Sequence, residues 1–188
     1  MEFGGGLMKA FYYDIVCPYA YMTFSYLCRH EVFRKEGITL KPILLGGLFK
    51  LMEQPSNPNQ FFPAVKSDYI KADIKRQADY FGVPLSFHER HPVSSLKAMR
   101  LLMSCPEETR EALTARLYQA YWQENQDIDS DGIIGLIATE YSLPMPNFSA
   151  KTALIEATNE AFSRKVFGVP SFSIDDRIYF GGDRLCLI

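Results

Sequence analysis

The spacing of hydrophobic positions changes several times along the chain, and each change marks an element. Lys9–Val16 (KAFYYDIV) is short, aromatic and β-branched, which predicts a buried strand. Tyr21, Phe24, Leu27, Cys28 and Val32 then recur at helical spacing, so a helix is predicted from Pro18 to Lys35. Pro18 suits its first turn and Gly37 its end. Ile38–Leu45 (ITLKPILL) predicts a second strand, with Pro42 marking an edge or an irregularity. Gly46-Gly47 and Gln54–Pro63 read as loop. From Ser67 to Tyr141 the period is mostly helical. Ile70, Ile74, Ala78 and Phe81 form one stripe, closed by Gly82-Val83-Pro84. Leu96, Met99, Arg100 and Met103 form a second, closed before Pro106. Leu113, Leu117, Ala120 and Tyr121 form a third, behind an acidic first turn at Glu107-Glu108. Ser130 or Asp131 can cap a short helix to Tyr141, and Ser149 another to Lys165. Ser171–Ile174 and Arg177–Phe180 predict a strand pair around Asp175-Asp176.

This order describes one α/β unit interrupted by a helical insertion. Strands joined through a helix lie parallel with a right-handed crossover, and the final hairpin makes the sheet mixed. The expected division is a flexible extension over 1–8, an α/β domain over 9–50 and 150–188, and the insertion over 51–149. A length of 188 residues fits that plan, and 47% hydrophobic with 14% aromatic residues supports a packed core rather than disorder. The net charge of 20 − 22 = −2 argues against a nucleic-acid partner. No apolar run approaches the roughly 20 residues that span a bilayer. Met1–Leu7 has neither the basic nor the apolar region of a secretory signal, so a cytoplasmic location is expected. Four cysteines in this length do not make a disulfide scaffold, and in a reducing compartment their use is catalytic or redox-linked.

Cys17 is the sharpest candidate for chemistry. It stands where a strand ends and a helix begins, and a helix N-terminus stabilises a thiolate. The tetrad Cys17-Pro18-Tyr19-Ala20 lacks the second cysteine of a dithiol redox site. Cys28 fits the apolar stripe of the same helix, and Cys105 and Cys186 read as incidental. Gly168-Val169-Pro170 follows: a cis bond before Pro170 would leave the Val169 backbone free to pair with a peptide-like ligand. Asp183 can bind an ammonium or cap a helix, and Arg184 can pair a carboxylate. Two patterns carry less. Asp127–Gly132 (DIDSDG) matches the start of a calcium loop, but Ala138 occupies the position of the bidentate acid. His30, His88 and His91 show no metal spacing and read as surface or loop residues, so no metal site is expected.

Taken together these pieces resemble a known family. FYYDIVCPYAYM (Phe11–Met22) is similar to the opening of 2-hydroxychromene-2-carboxylate isomerases and kappa-class glutathione transferases, in the DsbA-like branch of the thioredoxin superfamily. The likeness continues through Asn59–Leu85, His91–Leu102, Asp127–Gly132 and Glu156–Leu185. It implies a thioredoxin-like fold with a mixed sheet and a large all-helical insertion. It implies glutathione as cofactor and a small aromatic or hydrophobic substrate, with a homodimer as one option. Cys17 stands where the family has a serine that hydrogen-bonds the glutathione thiolate. Asn59 resembles the Asn of the family's Asn-x-Pro-Pro loop, with Phe61-Phe62 in place of the prolines. Lys66 resembles its ligand-binding lysine. Val169 and Pro170 correspond to the residues that pair with the glutathione cysteinyl, and Asp183-Arg184 to the pair near its γ-glutamyl end. The family continues into a closing helix after that pair, whereas this sequence stops at Ile188, so either a truncated tail or a partner chain covering the gap is expected there. A cysteine in place of the serine opens a rival activity, a monothiol thiol–disulfide oxidoreductase. A third reading is a non-catalytic peptide or glutathione binding module.

Overall fold

The computed structural model describes residues 9–55 and 57–187, with the side chains of Pro58, Asn59 and Leu187 outside that set. The extension expected at 1–8 lies outside the described residues as well. In chain order the elements are β1 (Lys9–Tyr13), α1 (Pro18–Arg29), α2 (Val32–Glu36), β2 (Ile38–Pro42), α3 (Leu45–Leu51), a 3₁₀ turn (Pro58–Phe61) and α4 (Ala64–Phe81). Then come α5 (Leu96–Ser104), α6 (Glu107–Trp122), α7 (Asp131–Glu140), α8 (Phe148–Ser163), β3 (Ser171–Ile174), β4 (Arg177–Phe180) and a last 3₁₀ stretch (Gly182–Leu187).

The sheet runs β2-β1-β3-β4. β1 and β2 are parallel, while β1–β3 and β3–β4 are antiparallel, so the mixed sheet is as expected. Pro42 sits on the edge strand β2, where its missing N–H breaks no central ladder. Alternation along β1 divides the core. Phe11 and Tyr13 share one face and meet α1 and α2: the Phe11 ring lies 5.5 Å from Phe33, and Tyr13 lies 6.3 Å from Phe24. Tyr12 faces the other way, toward α8. The same core cluster takes in Leu113, Leu117, Tyr118 and Trp122 from the helical insertion, all buried. Each such large side chain contributes about 1.5–3 kcal/mol by leaving water.

Four local departures from the sequence reading have physical causes. β1 ends at Tyr13 rather than Val16, because the Cys17 N–H turns back to the Asp14 carbonyl at 3.1 Å. The single helix predicted over Pro18–Lys35 breaks after Arg29. Glu31 adopts a left-handed conformation (φ 56°), and the turn lays Phe33 against Phe11 and Phe24. Gly46-Gly47, read as loop, lies in α3. That helix has no cap of its own: the Asp14 carboxylate, 31 positions earlier in the chain, accepts the Leu45 N–H at 2.8 Å, and Thr158 accepts the Leu44 N–H at 3.1 Å. Finally, Asn147 rather than Ser149 caps α8, accepting the Ala150 N–H at 3.1 Å.

Candidate functional site around the N-terminus of α1

Cys17 is the N-cap residue of α1 and is 7% exposed. Its thiol donates to the Val169 carbonyl at 3.3 Å. The Tyr19 and Ala20 N–H groups of the first turn face the sulfur and favour its anion, yet no capping hydrogen bond is formed in this thiol state. Burial dominates: it pushes the Cys17 thiol up to about 12, with the nearby Asp14 acting in the same direction. The helix N-terminus is therefore a ready anion site, while the resident sulfur stays protonated at neutral pH.

The partner of that sulfur is built by Gly168-Val169-Pro170. The Val169-Pro170 bond is cis, as the sequence suggested. A Cβ on Gly168 would meet the ring of Phe180 at 2.8 Å, so a larger residue there would have to push that half-exposed ring aside. The Val169 N–H has no hydrogen-bond acceptor among the described residues. The Pro170 carbonyl, in contrast, is taken by the Gly181 N–H at 2.9 Å. That bond ties the Val169-Pro170 turn to the segment carrying Asp183.

Asp183 and Arg184 are exposed, pair with each other, and stand beside α1 beyond its first turns. Gly182 abuts Thr23, and a Cβ there would collide with the Thr23 hydroxyl. Thr23 lies six residues from Cys17 in the sequence, about 9 Å along a helix. An extended tripeptide spans about 10 Å. Lys66 is exposed on α4, its Nζ 3.6 Å from the centroid of the Phe62 ring. Lys66, Tyr69 and Asp73 share one helix face by their spacing. That face adjoins the site: after burial, which raises the Tyr19 phenol, the groups that act on it are Asp73, Cys17 and Tyr69. The Asn59 backbone belongs to the 3₁₀ turn before α4, and its side chain lies outside the described residues. Thus Cys17 and Val169 come together in direct contact, with Pro170 following through the cis bond, Asp183 and Arg184 flank α1, and Lys66 approaches from α4.

Sequence reasoning missed the residues that hold this loop in place. Asp14 is fully buried. Its carboxylate accepts the Val16 N–H at 3.2 Å and the Leu45 N–H at 2.8 Å, and the buried Ser95 hydroxyl faces it. The signal was a lone acid inside the apolar run KAFYYDIV. Trp122 donates to the Ile15 carbonyl at 2.8 Å, and Tyr21 stacks on its ring at 6.0 Å. The histidines lie at a turn and in the loop between α4 and α5, as expected, but two of them are not at the surface. His30 is exposed, but His88 is buried, and half-buried His91 bonds the Tyr121 hydroxyl at 2.8 Å. The aromatic rings of Phe87, Tyr121 and Trp122 enclose them.

Residues 10–188 match the family described as DSBA-like thioredoxin domain. The chain belongs to that family. Among characterised relatives it is similar to glutathione S-transferase kappa 1 of Rattus norvegicus, 28% identical, with 94% of this chain and 87% of the relative covered. It is also similar to 2-hydroxychromene-2-carboxylate isomerase of Pseudomonas putida, 25% identical over 95% of this chain and 90% of the relative. A solved 2-hydroxychromene-2-carboxylate isomerase superposes with a TM-score of 0.82 at 25% identity, covering 96% of this chain and 91% of that one. The DsbA-like thioredoxin fold with its helical insertion is thereby established. No helix among the described residues is long and apolar enough to cross a membrane.

Proposed function

We propose that this family member is a glutathione-dependent isomerase or transferase of the 2-hydroxychromene-2-carboxylate isomerase type, acting on a small aromatic or hydrophobic substrate. The observation that carries the reading is the pairing of the α1 N-terminus with the Val169 backbone across a buried, protonated Cys17. The residues fit the tripeptide. The free Val169 N–H offers an edge for its backbone, and the distance along α1 from Cys17 to Thr23 and Gly182 matches its length. Asp183 would attract its ammonium, while Lys66 and Arg184 would attract carboxylates and Asn59 would add a polar contact. When bound, glutathione supplies a thiol that adds reversibly to an unsaturated acid. The Tyr19 and Ala20 N–H groups and the helix dipole hold that thiol as its anion, and Cys17 offers the neighbouring donor. A cytoplasmic location goes with this reading.

The rival monothiol oxidoreductase needs a Cys17 thiolate near neutral pH. A thiol raised to about 12 does not supply one. The test is turnover of a 2-hydroxychromene-2-carboxylate followed with and without glutathione. Conversion that requires glutathione and falls in Cys17→Ala supports the enzyme. No conversion under either condition refutes it, and glutathione binding retained without turnover points to a binding module.

A further inference from the structure

A second cavity, of about 420 Å³, lies on the α8 side of the sheet, across it from the face that packs on α1. It is bounded by β2, by α8, and by Met103 and Arg110 from α5 and α6. Its size is that of a ligand pocket. What distinguishes it is a buried guanidinium nitrogen with nothing to bond. The Arg110 Nε is buried without a hydrogen-bond partner. Half-buried Lys41 makes no ion pair among the described residues, and neither does Glu156, which is exposed to water. A desolvated guanidinium nitrogen left unpaired costs free energy unless a ligand or ion satisfies it.

The arrangement has a polarity. Two cations, Arg110 and Lys41, come from α6 and β2, and two exposed acids, Glu156 and Glu160, come from α8, of which Glu160 is already paired with Arg164; Met103 and Ala157 add apolar lining. We propose that this cavity binds a small zwitterion, an α-amino acid with an apolar side chain. Arg110 and Lys41 take its carboxylate, Glu156 its ammonium, and Met103 and Ala157 its side chain. The site is independent of the glutathione reading, because Cys17, Val169 and Asp183 do not line it.

The test is a thermal-shift and calorimetric titration of the full chain with L-leucine. 4-Methylpentanoate serves as the acid-only probe, isopentylamine as the amine-only probe, and inorganic phosphate as the anion-only probe. The proposal expects saturable L-leucine binding at millimolar levels or below. It expects at least tenfold weaker binding of the three other probes. Arg110→Met, which keeps the apolar stem, and Glu156→Gln should each weaken L-leucine binding about tenfold while leaving glutathione binding within twofold. Lys41→Met supplies a second cation variant should Arg110→Met unfold. No saturable L-leucine binding at ten millimolar, binding of phosphate alone, or L-leucine affinity unchanged in the folded variants overturns the proposal.

Discussion

Asp14 gives the sharpest test of how the site is held. Its carboxylate is fully buried, accepts the N–H groups of Val16 and Leu45, and faces Ser95. Asp14→Ala leaves two backbone donors without acceptors, and each such buried orphan costs about 1–3 kcal/mol. Opposing this, burial is the largest influence on the carboxyl and raises its pKa, so removing the group relieves a desolvation penalty. Taking the bonds as the larger effect, the net loss is about 3 kcal/mol. In a chain of this length that lowers Tm by about 6–12 °C. Because α3 starts on Asp14 and the Cys17 loop hangs from it, glutathione affinity should fall with stability. Differential scanning calorimetry with and without glutathione reads both. A Tm that is unchanged or higher in the variant would refute the reasoning, since it would show the carboxylate to be a net burden that the loop does not need.

Three further outcomes are expected. Gly182→Ala forces a Cβ into Thr23, costs about 1–3 kcal/mol by overpacking and displaces Asp183, so calorimetry should show glutathione binding weakened about tenfold; unchanged affinity and Tm would break the link between that contact and the site. Burial holds His91 down to about 4 against 6.5 unfolded, so the unfolded state takes up its proton first as pH falls. Stability from His91 is therefore present above about pH 6.5 and is lost toward about pH 4, by about 2 kcal/mol after allowing for partial exposure. Urea unfolding of His91→Gln across that window should show a shallower pH slope. Cys17→Ser replaces a weak donor by a hydroxyl, a change worth up to about 1.5 kcal/mol toward a bound thiolate. Glutathione-dependent activity should hold or rise in that variant, and its loss would make the Cys17 sulfur itself the nucleophile.

The fold was legible wherever local pattern and tertiary demand agreed. β3 and β4 fall on the predicted residues, Gly37 ends α2 in a left-handed conformation, and Pro42 marks the edge strand. Elements set by distant partners were not legible. α3 begins at Leu45 behind the apolar N-cap Leu44 and contains Gly46-Gly47, and Asp14 and Thr158, remote in sequence, take the N–H groups at its start. The break at Glu31 follows from the ring contacts of Phe33, which no spacing within one helix reveals. At the site, the position of Cys17 was readable from the strand-to-helix turn, whereas Gly168-Val169-Pro170 alone reads as turn chemistry and gained its role only through the family resemblance. The burial of the thiol was not readable, because it comes from the Val169 carbonyl, 152 residues away in the sequence. That burial separates a donor beside a bound thiolate from a redox nucleophile.

The most direct test of the account is a titration of glutathione into the wild-type protein near neutral pH, with heat and ultraviolet thiolate absorbance recorded together and Cys17 checked by mass spectrometry. The account predicts saturable binding, a rise in thiolate absorbance on binding, and an unmodified Cys17. Absence of binding at millimolar glutathione, or a glutathione mixed disulfide on Cys17 after oxidised glutathione is added, would contradict it.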